Sequence, residues 1–407
     1  MSPLRLVFVT PRFWPLTAGG PKTMAELAVQ LTEQGHRVTV VTASWDARWP
    51  ARITFRGVPV VRLPFAPRGG WETSRYARAL ARWLRDHRDH FELVYVLRLK
   101  HEAHAVMQTL HGGSTDRRLP VVLRPEAAGR HGDCLWQIDA SGGRRVKREC
   151  LKAAAFVAAD RVIERELQAA GYPRPRIHHL PDGVELPPPR SRTAKTEARF
   201  ALAMANASLE VPHWAPLALC LGELHPGPSL RALVAAWQSI VARWPEARLW
   251  LAGGGPDRAA LMQQIEVSGL SGRVVRVGPF DDIGTLLAAA DLFVLPSLDG
   301  GVSRALLEAM AAGLPIVAGD TAGHRSVMAD GRQGLLVPAS DAEALAAAVV
   351  RLLERRELSA QLGTAARACV AEFSLAKTTD RHVTLFTDLR DRDPNSAGET
   401  PVAQDAP

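Results

Sequence analysis

The sequence predicts an α/β protein of two doubly wound domains, each built on a mostly parallel sheet. Short apolar runs alternate with helical stretches along nearly the whole chain, the pattern of strand–helix–strand units. The series occurs twice, on either side of a proline-rich break at Leu186-Pro187-Pro188-Pro189. The chain has 407 residues, which suits two or three domains at roughly 100–200 residues each.

In the first series, Leu6-Val7-Phe8-Val9 reads as a buried strand. Gly19-Gly20 opens an amphipathic helix through Met24, Leu27, Ala28 and Leu31, and Gly35 ends it. Val38 to Val41, Leu93 to Val96 and Pro120 to Leu123 continue the strands. Ser74 to His90 reads as a helix with Arg75, Arg78, Arg82 and Arg85 on one stripe and Tyr76, Leu80, Trp83 and Leu84 on the other. A further strand is expected to end near Ile163. After the proline run, a polar to alanine-rich stretch as far as Pro216 is expected to be the linker. Second-series strands follow at 217–221, 248–252, 274–277, 292–295 and 315–318, with helices at 342–353 and 358–372. From Asp391 the chain is polar and reads as a loose tail.

Composition excludes several classes. Apolar residues make up 47% and charged residues 23%, ordinary for a globular protein and foreign to collagen, coiled coil or long disorder. No apolar run approaches the ~18 residues of a membrane span. The N-terminus is too short and strand-like for a signal peptide, so a cytoplasmic protein is expected. Cys134, Cys150, Cys220 and Cys369 lack CxxC spacing and read as reduced thiols, with no metal site. Net charge is +8. Residues 1–187 carry 29 basic and 18 acidic side chains, a surplus of +11, and the remainder carries 21 and 24, or −3. The first half therefore points to an anionic partner or surface, or to a generally arginine-rich composition. Nothing beyond charge supports nucleic-acid binding. Neither GxGxxG nor GxxxxGK[ST] is present, against a standard dinucleotide or P-loop site.

The most informative stretch runs from Pro296 to Val317: a strand end, a glycine-rich loop, a helix from about Val302 to Ala312, and another strand. N–H groups of Gly301, Val302 and Ser303 at the helix start suit a phosphate, helped by the helix dipole. Glu308 lies further along that helix. A plain glycine-rich turn followed by a helix with a surface glutamate is the other reading.

This stretch resembles the signature of family 4 glycosyltransferases (glycosyl transferases group 1) of the two-domain GT-B fold. Six further segments resemble the family in order. They are Gly19-Gly20 with Leu27-Ala28, Gly35-His36 with Val38 to Thr42, Leu180 to Glu185 in the place of "PNGVD", Leu251 to Pro256, Val277 to Phe280 with Ala290 to Ser297, and Phe373-Ser374. The resemblance spans about residues 4 to 390. It implies two Rossmann-like domains facing a cleft. An acceptor-side domain would occupy 1–187, a linker 188–215 and a donor domain 216–372. A C-terminal helix at 373–390 would return to the first domain, and 391–407 would be a tail. It also implies transfer of a sugar from a nucleotide diphosphate sugar to an acceptor hydroxyl, with retention and without metal or further cofactor. Gly301, Val302, Ser303 and Arg304 would then hold the diphosphate, Glu308 the ribose and Phe280 the base. Gly19, Gly20 and Lys22 would form the glycine loop near the cleft.

Four places depart from the family pattern. Glu223 stands in the Arg place, Pro228 in the Lys place, Gly300 (beside Asp299) in the first Glu place and Ser326 in the later Glu place. The loop expected after Ile163 is also short. Losing one preorganised donor at a developing charge costs about 10²–10³ in rate, so other cations are needed: Arg304, Arg325 and Lys22 are the candidates. In the first domain, Glu126 and His131 are candidates to bind or deprotonate the acceptor hydroxyl. The run Arg144 to Arg148 and the stripe Arg75 to Arg85 are either solvated helix faces or contacts to anionic lipid at the inner membrane face. The expected partners are a nucleotide sugar and a carbohydrate or lipid-linked acceptor, and the expected setting is surface or exported glycan synthesis. The alternative is a catalytically silent relative that serves as an assembly partner. A nucleotide-sugar epimerase fits the helix signature less well.

Overall fold

The computed structural model describes residues 2–16, 19–112, 119–129, 132–222, 227–254, 258–278, 283–297 and 301–392. The chain divides into two compact units, Met1–Gly183 with Leu375–Pro407, and Val184–Ser374.

The first unit contains β1 (Arg5–Val9), α1 (Gly20–Glu33), β2 (Arg37–Ala43), β3 (Arg52–Phe55), β4 (Val58–Leu63), α2 (Gly70–Asp86), β5 (Leu93–Leu97) and α3 (His101–His111). It continues through β6 (Val121–Arg124), α4 (Asp133–Asp139), α5 (Gly143–Cys150), β7 (Ala155–Ala158), α6 (Arg161–Ala169) and β8 (Ile177–His179). Its eight strands run in the order β3-β4-β2-β1-β5-β6-β7-β8. All neighbours are parallel except β3 and β4. Every residue of β5 is buried, as expected of a central strand covered on both faces. The antiparallel pair turns through Arg56 and Gly57, at φ 47° and 85°, the two positive values of a tight hairpin turn.

The second unit contains α7 (Arg192–Ala205), β9 (Leu217–Leu221), α8 (Pro228–Arg243), β10 (Arg248–Ala252), α9 (Arg258–Val267), β11 (Val274–Gly278), α10 (Ile283–Ala289) and β12 (Leu292–Leu295). Then come α11 (Arg304–Ala311), β13 (Ile316–Gly319), α12 (Ala322–Val327), β14 (Leu335–Val337), α13 (Ala342–Glu354) and α14 (Arg356–Val370). The sheet is parallel, in the order β11-β10-β9-β12-β13-β14. Two apolar cores cover its two faces. This is the doubly wound architecture expected.

The last helix, α15 (Leu375–Asp391), packs in the first unit. Its Phe386 ring lies 5.4 Å from Tyr95 and 6.5 Å from Phe8. The tail expected from Asp391 starts later, since Asp391 is the last residue of α15, and the chain after Arg392 is outside the described residues.

Three local expectations are corrected. The stretch 188–215 is not simply a connector. Ser191 caps α7 by accepting from the Ala194 N–H at 3.0 Å. Ala198 and Leu202 bury one face, and Arg199, 6% exposed, reaches the Asp291 carboxylate at 2.7 Å. The strand expected near Ile163 ends at Ala158 instead. Asp160 Oδ1 accepts from the Val162 and Ile163 N–H groups at 2.8 Å, which starts a helix there. Finally, α2 begins at Gly70 and ends at Asp86, and α11 begins at Arg304 with Ser303 as its cap residue.

Candidate functional site

Ligands of parallel sheets bind at the carboxyl ends of strands, and described candidate residues stand there in each unit, Gly20 and Glu126 in the first and Gly301 to Glu308 in the second. In the first unit, the loops after β1, β5 and β6 converge. A Cβ added to Gly20 would lie 3.1 Å from Glu126 Cγ and 3.2 Å from its Oε1. Glycine therefore lets the start of α1 lie directly against the Glu126 side chain, where the helix dipole favours a carboxylate. Gly19, at φ 62°, is the cap residue of α1, and Lys22 lies 3.9 Å from Glu26.

Glu126 is ion-paired with Arg98 and keeps a quarter of its side chain exposed. Arg98 follows β5 directly and adopts a left-handed backbone, φ 81°. For a non-glycine residue that costs on the order of 1–3 kcal/mol, so packing and the ion pair must hold it. Asp133 starts α4. It accepts from the Glu126 N–H at 2.6 Å and lies 3.6 Å from Lys100 Nζ. Burial raises its pKa to about 6, against the pull of Lys100 and of the Glu126 N–H. Glu102, in the first turn of α3, is likewise raised to about 6 by burial, opposed by Arg98. Its Oε2 is buried without a hydrogen-bond partner.

Arg124 ends β6 and is buried, and its guanidinium pairs with Asp182. Thr23 Oγ1 donates to the other Asp182 oxygen at 3.1 Å. Asp182 stands where the resemblance places Asn, and Arg124 matches the added charge. The structure thus brings Gly20 and Glu126 together and adds Arg98, Lys100, Arg124 and Asp133 to them. Spacing alone did not single out those four, although Arg98 and Arg124 each lie where a buried strand ends. The cluster is suited to accept hydrogen bonds from hydroxyl groups at Glu126 while fixing that carboxylate from behind. His131 lies outside the described residues.

In the second unit, β9 and β10 end in close backbone approach. A Cβ on Gly253, at φ 141°, would fall 1.8 Å from the Gly222 carbonyl oxygen, so only glycine fits there. Gly301, Val302 and Ser303 lead into α11, all partly exposed. The Ser303 side chain makes no capping hydrogen bond; the N–H groups that an α-helix cannot satisfy by itself are here those of Ser303 to Ala305, with Gly301 and Val302 in the loop before them. Val302 packs its side chain against the core, leaving its backbone to form the loop. Arg304 Nε donates to Glu308 Oε1 at 2.9 Å, with both side chains nearly buried.

Of the other candidate cations, Arg325 is exposed and paired with Asp320. Pro228 is the first residue of α8 and offers neither charge nor N–H. Ser326 Oγ donates to the Gly323 carbonyl at 2.6 Å. Glu223, Phe280, Asp299 and Gly300 lie outside the described residues.

The arginines of the two basic stretches face outward. Arg75, Arg78, Arg82 and Arg85 are exposed on α2, above buried Tyr76, Leu80 and Leu84. Arg144, Arg145 and Arg148 are exposed on α5. Among the described residues, no helix is long and apolar enough to cross a membrane.

Comparison with known proteins agrees with this architecture. The family profile described as "Glycosyltransferase Family 4" matches residues 17–186, and that described as "Glycosyl transferases group 1" matches residues 215–355. The lipopolysaccharide core biosynthesis glycosyltransferase LpsE of Rhizobium meliloti (strain 1021) is 33% identical over 186 residues, 46% of this chain and 54% of that one. The chain thus spans about half the length of that relative. The phosphatidyl-myo-inositol mannosyltransferase of Mycolicibacterium smegmatis is 27% identical over 387 residues, covering 90% of this chain and 88% of that one. Among solved structures, Anabaena HepE in complex with UDP-glucose shares the fold at a TM-score of 0.72. It is 18% identical, with 94% of this chain and 99% of that one covered. The two profiles take in 170 and 141 of the 407 residues. The chain therefore belongs to the family 4 glycosyltransferases of the GT-B fold.

Proposed function

We propose that this protein transfers a sugar from a nucleotide diphosphate sugar to an acceptor hydroxyl, with retention at the anomeric carbon. The product would be a surface or exported polysaccharide or a glycolipid. The observation that carries this reading is the start of α11, where Gly301, Val302 and Ser303 lead into the Arg304–Glu308 pair. In this reading the N–H groups of Gly301, Val302 and Ser303 hold the diphosphate, and Arg304 adds positive charge as the bond to the sugar breaks. Glu308 binds the ribose hydroxyls. Glu126, fixed by Arg98 and by the Asp133 contact to its backbone, orients the acceptor hydroxyl. The nucleotide sugar is a co-substrate, and no further cofactor takes part.

The UDP-glucose complex of HepE supports a nucleotide-sugar donor, and LpsE and the mannosyltransferase support a carbohydrate or lipid-linked acceptor. A cytoplasmic protein touching the inner membrane face through its exposed arginines belongs to the same proposal. The test is product analysis with UDP-, GDP- and ADP-sugars and lipid-extract acceptors. Sugar found on the acceptor with release of nucleoside diphosphate supports transfer. An altered sugar still attached to its nucleotide would replace transfer by epimerisation.

One observation favours a second reading, a silent relative that assists an active transferase. Pro228, in the Lys place, removes both a cation and an N–H from the start of α8. Under that reading, no nucleotide sugar is consumed by the folded protein.

A further inference from the structure

Three segments of the first unit close on one another in a ring: the start of α1, the end of β6 with the loop after it, and Asp182. Thr23 lies one turn along α1 from Gly20, so the two share a helix face, and both are buried. Thr23 Oγ1 donates to Asp182 Oδ2 at 3.1 Å. The other carboxylate oxygen, Oδ1, accepts from Arg124 Nη2. Arg124 is the last residue of β6, and Pro125 alone separates it from Glu126. The proline ring fixes φ at that step and stiffens the link. The Glu126 side chain then returns to α1, since a Cβ on Gly20 would stand 3.1 Å from its Cγ. Arg124 and Thr23 are buried, so solvent competes little for the bonds they make to Asp182.

We infer that Asp182 is a positioning residue for Glu126: it clamps the start of α1 to the end of β6 and so fixes how closely Gly20 approaches the Glu126 carboxylate. Asp182 belongs to neither element and holds both, one with each oxygen. A carboxylate suits that task because both its oxygens accept, whereas an asparagine offers one acceptor oxygen for the two donors. Arg98 and Asp133 act on Glu126 at other points, the first on its carboxylate and the second on its backbone N–H. The clamp adds the approach of the helix. The inference rests on the acceptor role proposed for Glu126, and it makes acceptor binding depend on a residue that need touch neither substrate.

The test is carbon-13 NMR of the full chain labelled at its glutamate carboxyl carbons, followed by initial rates with lipid-extract acceptors. The Glu126 and Glu308 signals are assigned through Glu126→Gln and Glu308→Gln. Thr23→Val removes the hydroxyl donor and keeps the branched shape of the side chain. It should move the Glu126 signal and leave the Glu308 signal in place. Gly20→Ala, which crowds Glu126 directly, should move the same signal. Thr23→Ser restores the hydroxyl and should restore the parent signal. In the rates, Thr23→Val should raise the apparent KM for the acceptor about fivefold or more and leave that for the nucleotide sugar unchanged. Should Thr23→Val fail to fold, Asp182→Asn takes its place and should move the Glu126 signal likewise. An unmoved Glu126 signal in the folded variant overturns the inference, and so does an equal rise in KM for both substrates. A parent that transfers no sugar removes the acceptor role of Glu126 instead, and the NMR comparison then decides the clamp alone.

Discussion

The strand-end sites of the two units are built from different materials. In the first unit, charged side chains hold one another: Arg98 with Glu126, Lys100 with Asp133, Arg124 with Asp182. In the second, the backbone dominates. Glycines allow close approach, a helix start supplies N–H groups, and the Arg304–Glu308 ion pair stands beside it. The contrast shows where each site is vulnerable. A charge network fails when one member leaves its partner buried and unpaired. A backbone site tolerates side-chain changes and fails only where geometry or the adjacent pair is disturbed.

The largest effect is expected from Asp182→Ala. It leaves the Arg124 guanidinium buried without its counter-ion, a change that costs about 3–5 kcal/mol. Hydrogen exchange of the β5 and β6 amides should show it as accelerated opening. Asp182→Asn, which restores the family residue, keeps the Thr23 partner and should cost less. Unchanged exchange in Asp182→Ala would show that the pair is not structural.

Next comes Asp133. Its native carboxyl holds a proton up to about pH 6, whereas the unfolded side chain releases it near pH 3.9. The native state therefore binds more protons in that window, and stability from this group falls as pH rises through it. Each pH unit across the window is worth about 1.36 kcal/mol, so the parent, relative to Asp133→Asn, should lose about 2–3 kcal/mol between roughly pH 4 and pH 7. Parallel pH profiles of the two proteins would remove that role. Glu102 adds to the same slope, since burial raises it likewise.

The smallest effect is expected from Arg325→Gln. Its partner Asp320 is held low by that arginine, but the pair is solvated, and such pairs contribute little. Melting temperature and nucleotide affinity should stay as in the parent. A clear loss of affinity would make Arg325 a donor-site cation after all.

Much of this was legible in the sequence, and the misses have physical causes. The strands of the second sheet stand at β9, β10 and β12 as their apolar runs predict, because buried parallel strands read as continuous apolar runs. The β3–β4 hairpin was not legible, because its turn is Arg56-Gly57 instead of an Asn-Gly or Asp-Gly pair. Helix α7 was hidden by the preceding prolines, and what anchors it is the contact of Arg199 to Asp291, 92 residues away. The site divides the same way. Gly301 to Glu308, the candidate donor-site stretch, is contiguous and reads as a motif. Glu126 was found as a polar residue after a strand, but its partner Arg98 lies 28 residues earlier, and no local pattern joins them.

The measurement that bears most directly on the donor site is calorimetric titration of UDP-, GDP- and ADP-sugars into the parent and Glu308→Ala. The variant removes a charge-assisted partner worth roughly 1.5–3 kcal/mol, so the parent should bind one nucleotide sugar saturably and the variant should bind it about tenfold or more weakly. Equal affinity in the two proteins, or no binding by a folded parent, would contradict a donor site at the start of α11.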